Sequence, residues 1–268
     1  MQKYARVVVV GGGCVGAGIL YGLARRGWSD IALLERTQLT AGSTWHAAGL
    51  VPSYTRNFNV GRMIAKTIEI YEGLEADTGQ NVGWHKCGQL RLANSRDRLD
   101  EFKSYMSVAE AQGTRAELLT PAEARGLWPL IESETMLAAL YNPDDGHIAP
   151  ADVTQAMAKG ARDRGAKIYL DTEVLGFARM PGGEWKITTN RGEITCEHVV
   201  CATGNYARQT GALLGLEIPA IPIIHQYWIT EPMPELIERK RQGLPEMPIL
   251  RDEEVEGYVR QEGDGLMF

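Results

Sequence analysis

Val7-Val8-Val9-Val10-Gly11-Gly12-Gly13-Cys14-Val15-Gly16 decides the fold of this chain. Four successive valines read as a short strand buried on both faces. Glycines 11, 13 and 16 fit G-x-G-x-x-G between that strand and an apolar-periodic segment. Val15, Ile19, Leu20 and Leu23 would share one helical face, and Arg25, Arg26 and Gly27 mark the helix end. Ile31 to Leu34 follows as a second strand, and Glu35 ends it, 19 positions after Gly16. A dinucleotide diphosphate needs this order. Glycines let the backbone approach the phosphates, a helix N-terminus offers N–H donors, and an acid ending the second strand accepts from ribose hydroxyls. Gly11, Gly13, Gly16 and Glu35, with Arg36 beside it, are the first cofactor-binding candidates. The signature alone serves NAD and FAD equally, since both carry ADP.

The remaining composition narrows the function. The chain has 268 residues, 44% hydrophobic and 23% charged, with 28 basic and 34 acidic side chains and a net charge of −6. No basic block interleaved with aromatics occurs, which argues against nucleic acid. No apolar run approaches the ~20 residues of a membrane span. Met1 to Arg6 leads straight into the first strand, so the expectation is a chain without a targeting peptide, working in the cytoplasm. Cys14, Cys87, Cys196 and Cys201 have no metal-ligand or redox spacing and read as packed thiols. No metal site is expected, and His85 and His147 read as structural.

Outward from the signature, helices are expected over 59–77 (closed by Gly79), near 99–109 (closed by Gly113), from the capping box Thr120-Pro121-Ala122-Glu123, and over 153–161 (capped by Gly165). Strands are expected at 88–93, where polar and apolar residues alternate, and at 137–141, 167–170 and 173–177. Trp185 to Thr189 and Glu193 to Thr195 read as a hairpin lying over the main sheet, and Val199 to Ala202 as a separate buried strand ending at Thr203-Gly204. Further strands are expected at 218–230, 249–251, 258–261 and 266–268. The nucleotide-binding pattern stops near residue 80 and resumes near 143. This implies an α/β fold with a Rossmann-like domain from 1–80 and 143–215, interleaved with an α+β substrate domain on an antiparallel sheet from 81–142 and 216–268.

Gly42-Ser43-Thr44-Trp45-His46-Ala47-Ala48-Gly49-Leu50 carries a more specific signal. This run resembles the flavin-attachment segment of the FAD-dependent dimethylglycine and sarcosine dehydrogenase family. Thr40-Ala41-Gly42, Val199 to Gly204 and His225-Gln226-Tyr227 extend the resemblance over essentially the whole chain. Leu20 departs from it, standing where a small residue commonly packs the first helix on the sheet. The resemblance implies FAD, bound covalently through His46. It implies oxidative demethylation of a small N-methylated glycine, dimethylglycine or sarcosine, by hydride transfer to flavin. It also implies an N-terminal portion of a longer enzyme whose missing returning strand and helix would leave this piece inactive and prone to associate. Some family members add a tetrahydrofolate-binding module.

Ser43 and Thr44 can hold phosphate oxygens, cap a helix, or do both. Val174 follows a strand where this fold's backbone meets adenine, and Thr203 and Gly204 end a central strand at the edge where ligands bind. His225 and Tyr258 match groups near flavin and substrate in the resembling family and are the catalytic candidates. Arg260 is a candidate for the substrate carboxylate. Two alternatives stand beside the demethylase. One is a non-catalytic flavin-fold regulatory protein like the pyruvate dehydrogenase phosphatase regulatory subunit, and the other is a flavin oxidase of a different amine.

Overall fold

The computed structural model describes residues 1–132 and 134–268. In chain order the elements are β1 Tyr4–Val10, α1 Cys14–Arg25, β2 Ile31–Leu34, β3 Leu50–Val51, α2 Phe58–Thr78, β4 Gln89–Ala93, α3 Arg96–Gln112, β5 Glu117–Leu119, α4 Pro121–Leu127, β6 Ala138–Asn142 and β7 Gly146–His147. Then come α5 Pro150–Asp163, β8 Lys167–Tyr169, β9 Val174–Arg179, β10 Trp185–Thr189, β11 Gly192–Cys201, α6 Ala207–Ala212, α7 Pro234–Arg241, β12 Ile249–Asp252, β13 Gly257–Glu262 and β14 Gly265–Met267. They fold into two compact units. The first comprises Met1–Gly49, Tyr71–Gly83 and Ala149–Ile224, and the second Leu50–Ile70, Trp84–Ile148 and His225–Phe268. Leu50–Ile70 thus groups with the second unit, whereas the sequence pattern assigns it to the first.

A six-stranded sheet, ordered β8-β2-β1-β11-β10-β9, organises the first unit. Its β8, β2, β1 and β11 run parallel, and the β10 and β9 edge is antiparallel. Alternate side chains of β1 divide between its faces. Val8 and Val10 join Ala32, Leu34, Ile187 and Ile194 in one core. Val9 faces α1, its Cγ1 3.4 Å from where a Gly16 side chain would begin. On that face α1 packs on α5, with the Tyr21 ring covering Gly160 and the Met157 sulfur beside Gly18. The buried stripe of α1 is Gly16, Ala17, Leu20, Tyr21 and Ala24. Val15 is 62% exposed, so the buried face is rotated by one or two positions from the expected one. Leu20 itself is fully buried. The hairpin does not lie over the sheet. β11 is one ten-residue strand whose first half pairs with β10 and whose second half pairs with β1, so the hairpin extends the sheet edge.

The second unit is built on the sheet β14-β13-β12-β4-β6-β5, antiparallel except where β12 runs parallel to β4. Helix α3 begins at the Ser95 cap and ends at left-handed Gly113. It buries Phe102, Tyr105 and Ala109 with Ala93 and Leu140. Helix α4 starts with the expected capping box. Its Ala124 joins Leu90, Leu92, Trp128, Leu236, Met247 and Leu266 in a separate core. The alternation over 88–93 predicts a half-solvated strand, yet all five residues of β4 are buried, because both faces are covered. Strand β5 and helix α7 have no counterpart in the sequence reading. The run 218–230 forms no strand beyond an isolated bridge from Ile229 to Met267. Pro219 and Pro222 lack the N–H groups a ladder needs, and Ile221, Ile223 and Ile224 are more than three-quarters exposed.

No helix among the described residues is long and apolar enough to cross a membrane. The second unit depends on the ring that α3 buries against β6. Phe102→Ala should lower stability by about 3–5 kcal/mol, read as a fall in the urea midpoint with unchanged slope. An unchanged midpoint would show that α3 does not help hold this unit.

Candidate functional site

Close backbone approach shapes the nucleotide edge of the first unit. Gly11 leaves β1 with φ +110°, and a side chain on it would begin 2.4 Å from the Ala202 carbonyl oxygen. The first turn of α1 presses on this loop so closely that a Gly16 Cβ would stand 1.9 Å from the Gly11 oxygen. Any side chain at either position would push helix and strand apart. Gly13 lies beside the Thr44 hydroxyl, 3.0 Å from its own would-be Cβ. The opening amides of α1 have no intrahelical acceptor, as at every helix start. That of Cys14 donates to the Thr44 Oγ1 at 3.0 Å. Thr44 therefore caps α1 from outside the helix, one of the two roles weighed for it.

Glu35 turns its carboxylate back onto the glycine loop. Gly12 N–H donates to its Oε2 at 2.7 Å, and the Thr37 amide and hydroxyl donate to its Oε1. The β8–β9 connection runs beside it, for Glu35 N–H donates to Tyr169 O and Thr172 N–H to Glu35 O. Val174, two residues later, is half-buried against the sheet core. Arg36 is exposed and lies over the Tyr206 ring at 4.1 Å. Loop 39–47 passes the same edge. Thr40 N–H donates to Gly12 O, and Asn205 Nδ2 donates to Ser43 Oγ at 3.0 Å. His46 is exposed and lies against Trp45, ring centroids 3.7 Å apart and the rings tilted by 34°. Gly204 turns with φ +53°, and the Thr203 hydroxyl beside it is buried without a protein partner. The first unit thus gathers Gly11, Gly13, Gly16, Glu35, Arg36, Ser43, Thr44, His46, Val174, Thr203 and Gly204. Asn205 was not foreseen, since an asparagine after a strand-ending glycine gives no signal of its own.

The model for FAD dependent oxidoreductases matches residues 6–268. This chain belongs to the FAD dependent oxidoreductase family. Rat dimethylglycine dehydrogenase (Rattus norvegicus, mitochondrial) is 42% identical over 264 residues, covering 98% of this chain and 30% of the rat protein. Human mitochondrial sarcosine dehydrogenase (Homo sapiens) is 35% identical over 276 residues, covering 99% and 29%. The chain therefore spans about 30% of these relatives' length. Among solved structures, L-proline dehydrogenase from P. horikoshii superposes with TM-score 0.87 at 28% identity, over all of this chain and 70% of that one. The α/β architecture is that of the family. Its cofactor fits the first unit. The bare backbone of the glycine loop, the orphaned Thr203 hydroxyl, the first-turn amides and the Glu35 carboxylate are groups of the kind an ADP moiety uses.

The second unit holds the remaining candidates. His225 is exposed within 218–230. Tyr258 is half-buried on β13, opposite Arg251 of β12, and burial is the main force raising its phenol pKa above 10.0. Arg260, two residues along the same strand, is buried. Its Nη1 donates to Glu262 at 2.6 Å and to Gln261 O at 3.0 Å, so its guanidinium is already engaged by the protein rather than free for a substrate carboxylate.

A buried polar group lies in this unit too. Asp145 Oδ1 accepts from Ser53 N–H at 2.9 Å, while burial pushes its pKa up to about 6. Gln89, Arg91 and Asn142 are buried on neighbouring strands, and the Arg91 guanidinium pairs with Glu253 and lies 4.4 Å over the Tyr54 ring. Polar residues inside a strand pattern are the available signal, but alternation alone does not reveal that both faces of the sheet are covered.

Two outcomes follow. Gly16→Ala should weaken FAD binding at least about tenfold while the second unit keeps its fold, measured by flavin fluorescence quenching. Undiminished binding would mean the loop tolerates displacement. Asp145, with its folded pKa raised from 3.8, contributes stability fully present below about pH 4 and lost as pH rises through 6. Asp145→Asn should remove that slope, a change on the order of 2 kcal/mol between pH 4 and 7. Equal slopes in unfolding titrations of both proteins would refute the assignment.

Proposed function

We propose that this chain is part of a flavoenzyme that oxidatively demethylates a small N-methylated glycine such as dimethylglycine or sarcosine. The one-carbon unit would leave as formaldehyde, or pass to tetrahydrofolate where a folate-binding module accompanies the domain. What supports the reading is loop 39–47. Thr44 ties it to the first amide of α1, which sets His46 along the nucleotide edge of the first unit. Similarity to dimethylglycine and sarcosine dehydrogenases supports the substrate class. Four free cysteines, none joined to another, suit a reducing compartment such as the cytoplasm.

The chemistry FAD supplies when bound is acceptance of a hydride from the N-methyl carbon. The chain's residues would do the rest. Gly11, Gly13, Gly16 and the α1 amides hold the diphosphate, Glu35 takes ribose hydroxyls, Arg36 and Ser43 flank the edge, and Val174, Thr203 and Gly204 complete the nucleotide wall. His46 Nδ1 or Nε2 would carry the covalent bond. The nitrogen lone pair drives hydride loss, so the substrate ammonium must first lose a proton. An imidazole such as His225 is the suitable acceptor. Tyr258, its phenol kept protonated by burial, acts as a hydrogen-bond donor that orients the substrate rather than as a base.

Anaerobic addition of dimethylglycine to the full-length flavoprotein should bleach its visible flavin absorbance. Absence of bleaching with any N-methyl amino acid would favour the regulatory reading instead. Acid precipitation should leave yellow flavin on the wild-type polypeptide and release it from His46→Ala. Release from both proteins would show that no covalent bond exists.

A further inference from the structure

Far apart in sequence, His85, His147 and Glu246 meet within the second unit. The backbone explains how. His85 and His147 form an isolated antiparallel bridge, each amide donating to the other's carbonyl, at 2.8 and 3.0 Å. Residues that exchange both hydrogen bonds lie directly opposite, and their side chains rise on the same face. The two imidazoles accordingly stack, 4.7 Å between centroids and 14° from parallel. Gly146 makes this possible, because a Cβ there would lie 2.0 Å from the His85 carbonyl oxygen. The third group enters from the segment before β12. The Glu246 carboxylate spans both rings, Oε2 at 2.8 Å from His85 Nδ1 and Oε1 at 2.6 Å from His147 Nε2.

We propose that His85, His147 and Glu246 form a binding site for a late first-row divalent cation, Zn²⁺ fitting best, with three protein ligands and one position open to solvent. The donor atoms all lie within 4.8 Å of one another. Tetrahedral bonds of about 2.0–2.1 Å place ligand atoms roughly 3.4 Å apart. The Glu246 oxygens lie 2.6 and 2.8 Å from the two imidazole nitrogens, so the donors would move to that spacing as the ion enters between them. Two imidazoles and one carboxylate suit zinc and its neighbours better than calcium or magnesium, which prefer oxygen.

The surroundings agree with a site open on one side. His147 is buried, whereas the His85 side chain is 53% exposed and borders a cleft of about 400 Å³. Arg239, Lys240 and Arg260 also line this cleft, and their charge opposes a cation. Lys240 is offset by Asp264 at 2.8 Å, Arg260 by Glu262 at 2.6 Å, and Arg239 donates to the Pro245 carbonyl. Bound metal would clip the segments around 85, 147 and 246 together, so occupancy should stabilise the second unit.

Chelator-treated full chain, titrated with Zn²⁺ alone by calorimetry, should bind one equivalent and gain thermal stability. Co²⁺ should give the d–d absorption of a tetrahedral site. His85→Ala removes an exposed side chain and Glu246→Gln keeps the shape. Each should weaken binding at least about tenfold, as perturbing a metal's ligand shells does. Both should retain the thermal midpoint of the metal-free protein. His198→Gln, an exposed histidine of the first unit, should change nothing. Lack of saturable one-equivalent binding in the wild type, or binding that His85→Ala and Glu246→Gln leave unaltered, would overturn the proposal.

Discussion

The contact between the first turn of α1 and the loop leaving β1 is the constraint on which the first unit depends. A side chain on Gly16 would overlap the Gly11 oxygen, and one on Gly11 would overlap the Ala202 carbonyl. Helix, β1 and β11 can therefore converge on one point only with bare backbone at both positions. The same convergence leaves amides of the helix start facing outward, where the macrodipole and the unpaired donors favour an anion. Thr44 takes one of these donors, which binds loop 39–47, and with it His46, to the same edge.

The second unit solves a different problem. Its sheet is covered on both faces, yet β4 and β6 carry Gln89, Arg91 and Asn142 into the interior. A buried polar group costs free energy unless it finds partners. Arg91 has Glu253 and the Tyr54 ring, and Asp145 has the Ser53 amide at one oxygen. Burial still raises the Asp145 pKa, so the loss of hydration outweighs the hydrogen bond from Ser53. Polar groups retained at such a cost are common where a protein binds something. The His85–His147–Glu246 cluster follows a similar logic, since one carboxylate serves two imidazoles that lie 62 positions apart in the chain.

Much of this was legible in the sequence. The strand–glycine–helix–strand–acid order identified the nucleotide-binding unit, because each feature is local and the spacing is set by strand and helix length. Capping of α4 by Thr120 and Glu123, and the glycine ends of α2 and α3, were equally local. The run 42–50 marks the FAD-dependent family through its residue order alone.

Tertiary structure alone decided the rest. Which face of α1 is buried depends on α5 arriving more than 130 residues later, so periodicity alone puts Val15 on the wrong side. Strand β11 is continuous because two partners hold its two halves, a fact no window of residues contains. Residues 218–230 carry a strand's apolar content, but a strand needs a partner along its length, and the pairing with 266–268 reaches only 228–230 among the described residues. His85 and His147 look ordinary along the chain, and Glu246 gives no sign of joining them. Periodicity and spacing are properties of neighbours along the chain, whereas ligand clusters and burial are properties of neighbours in space.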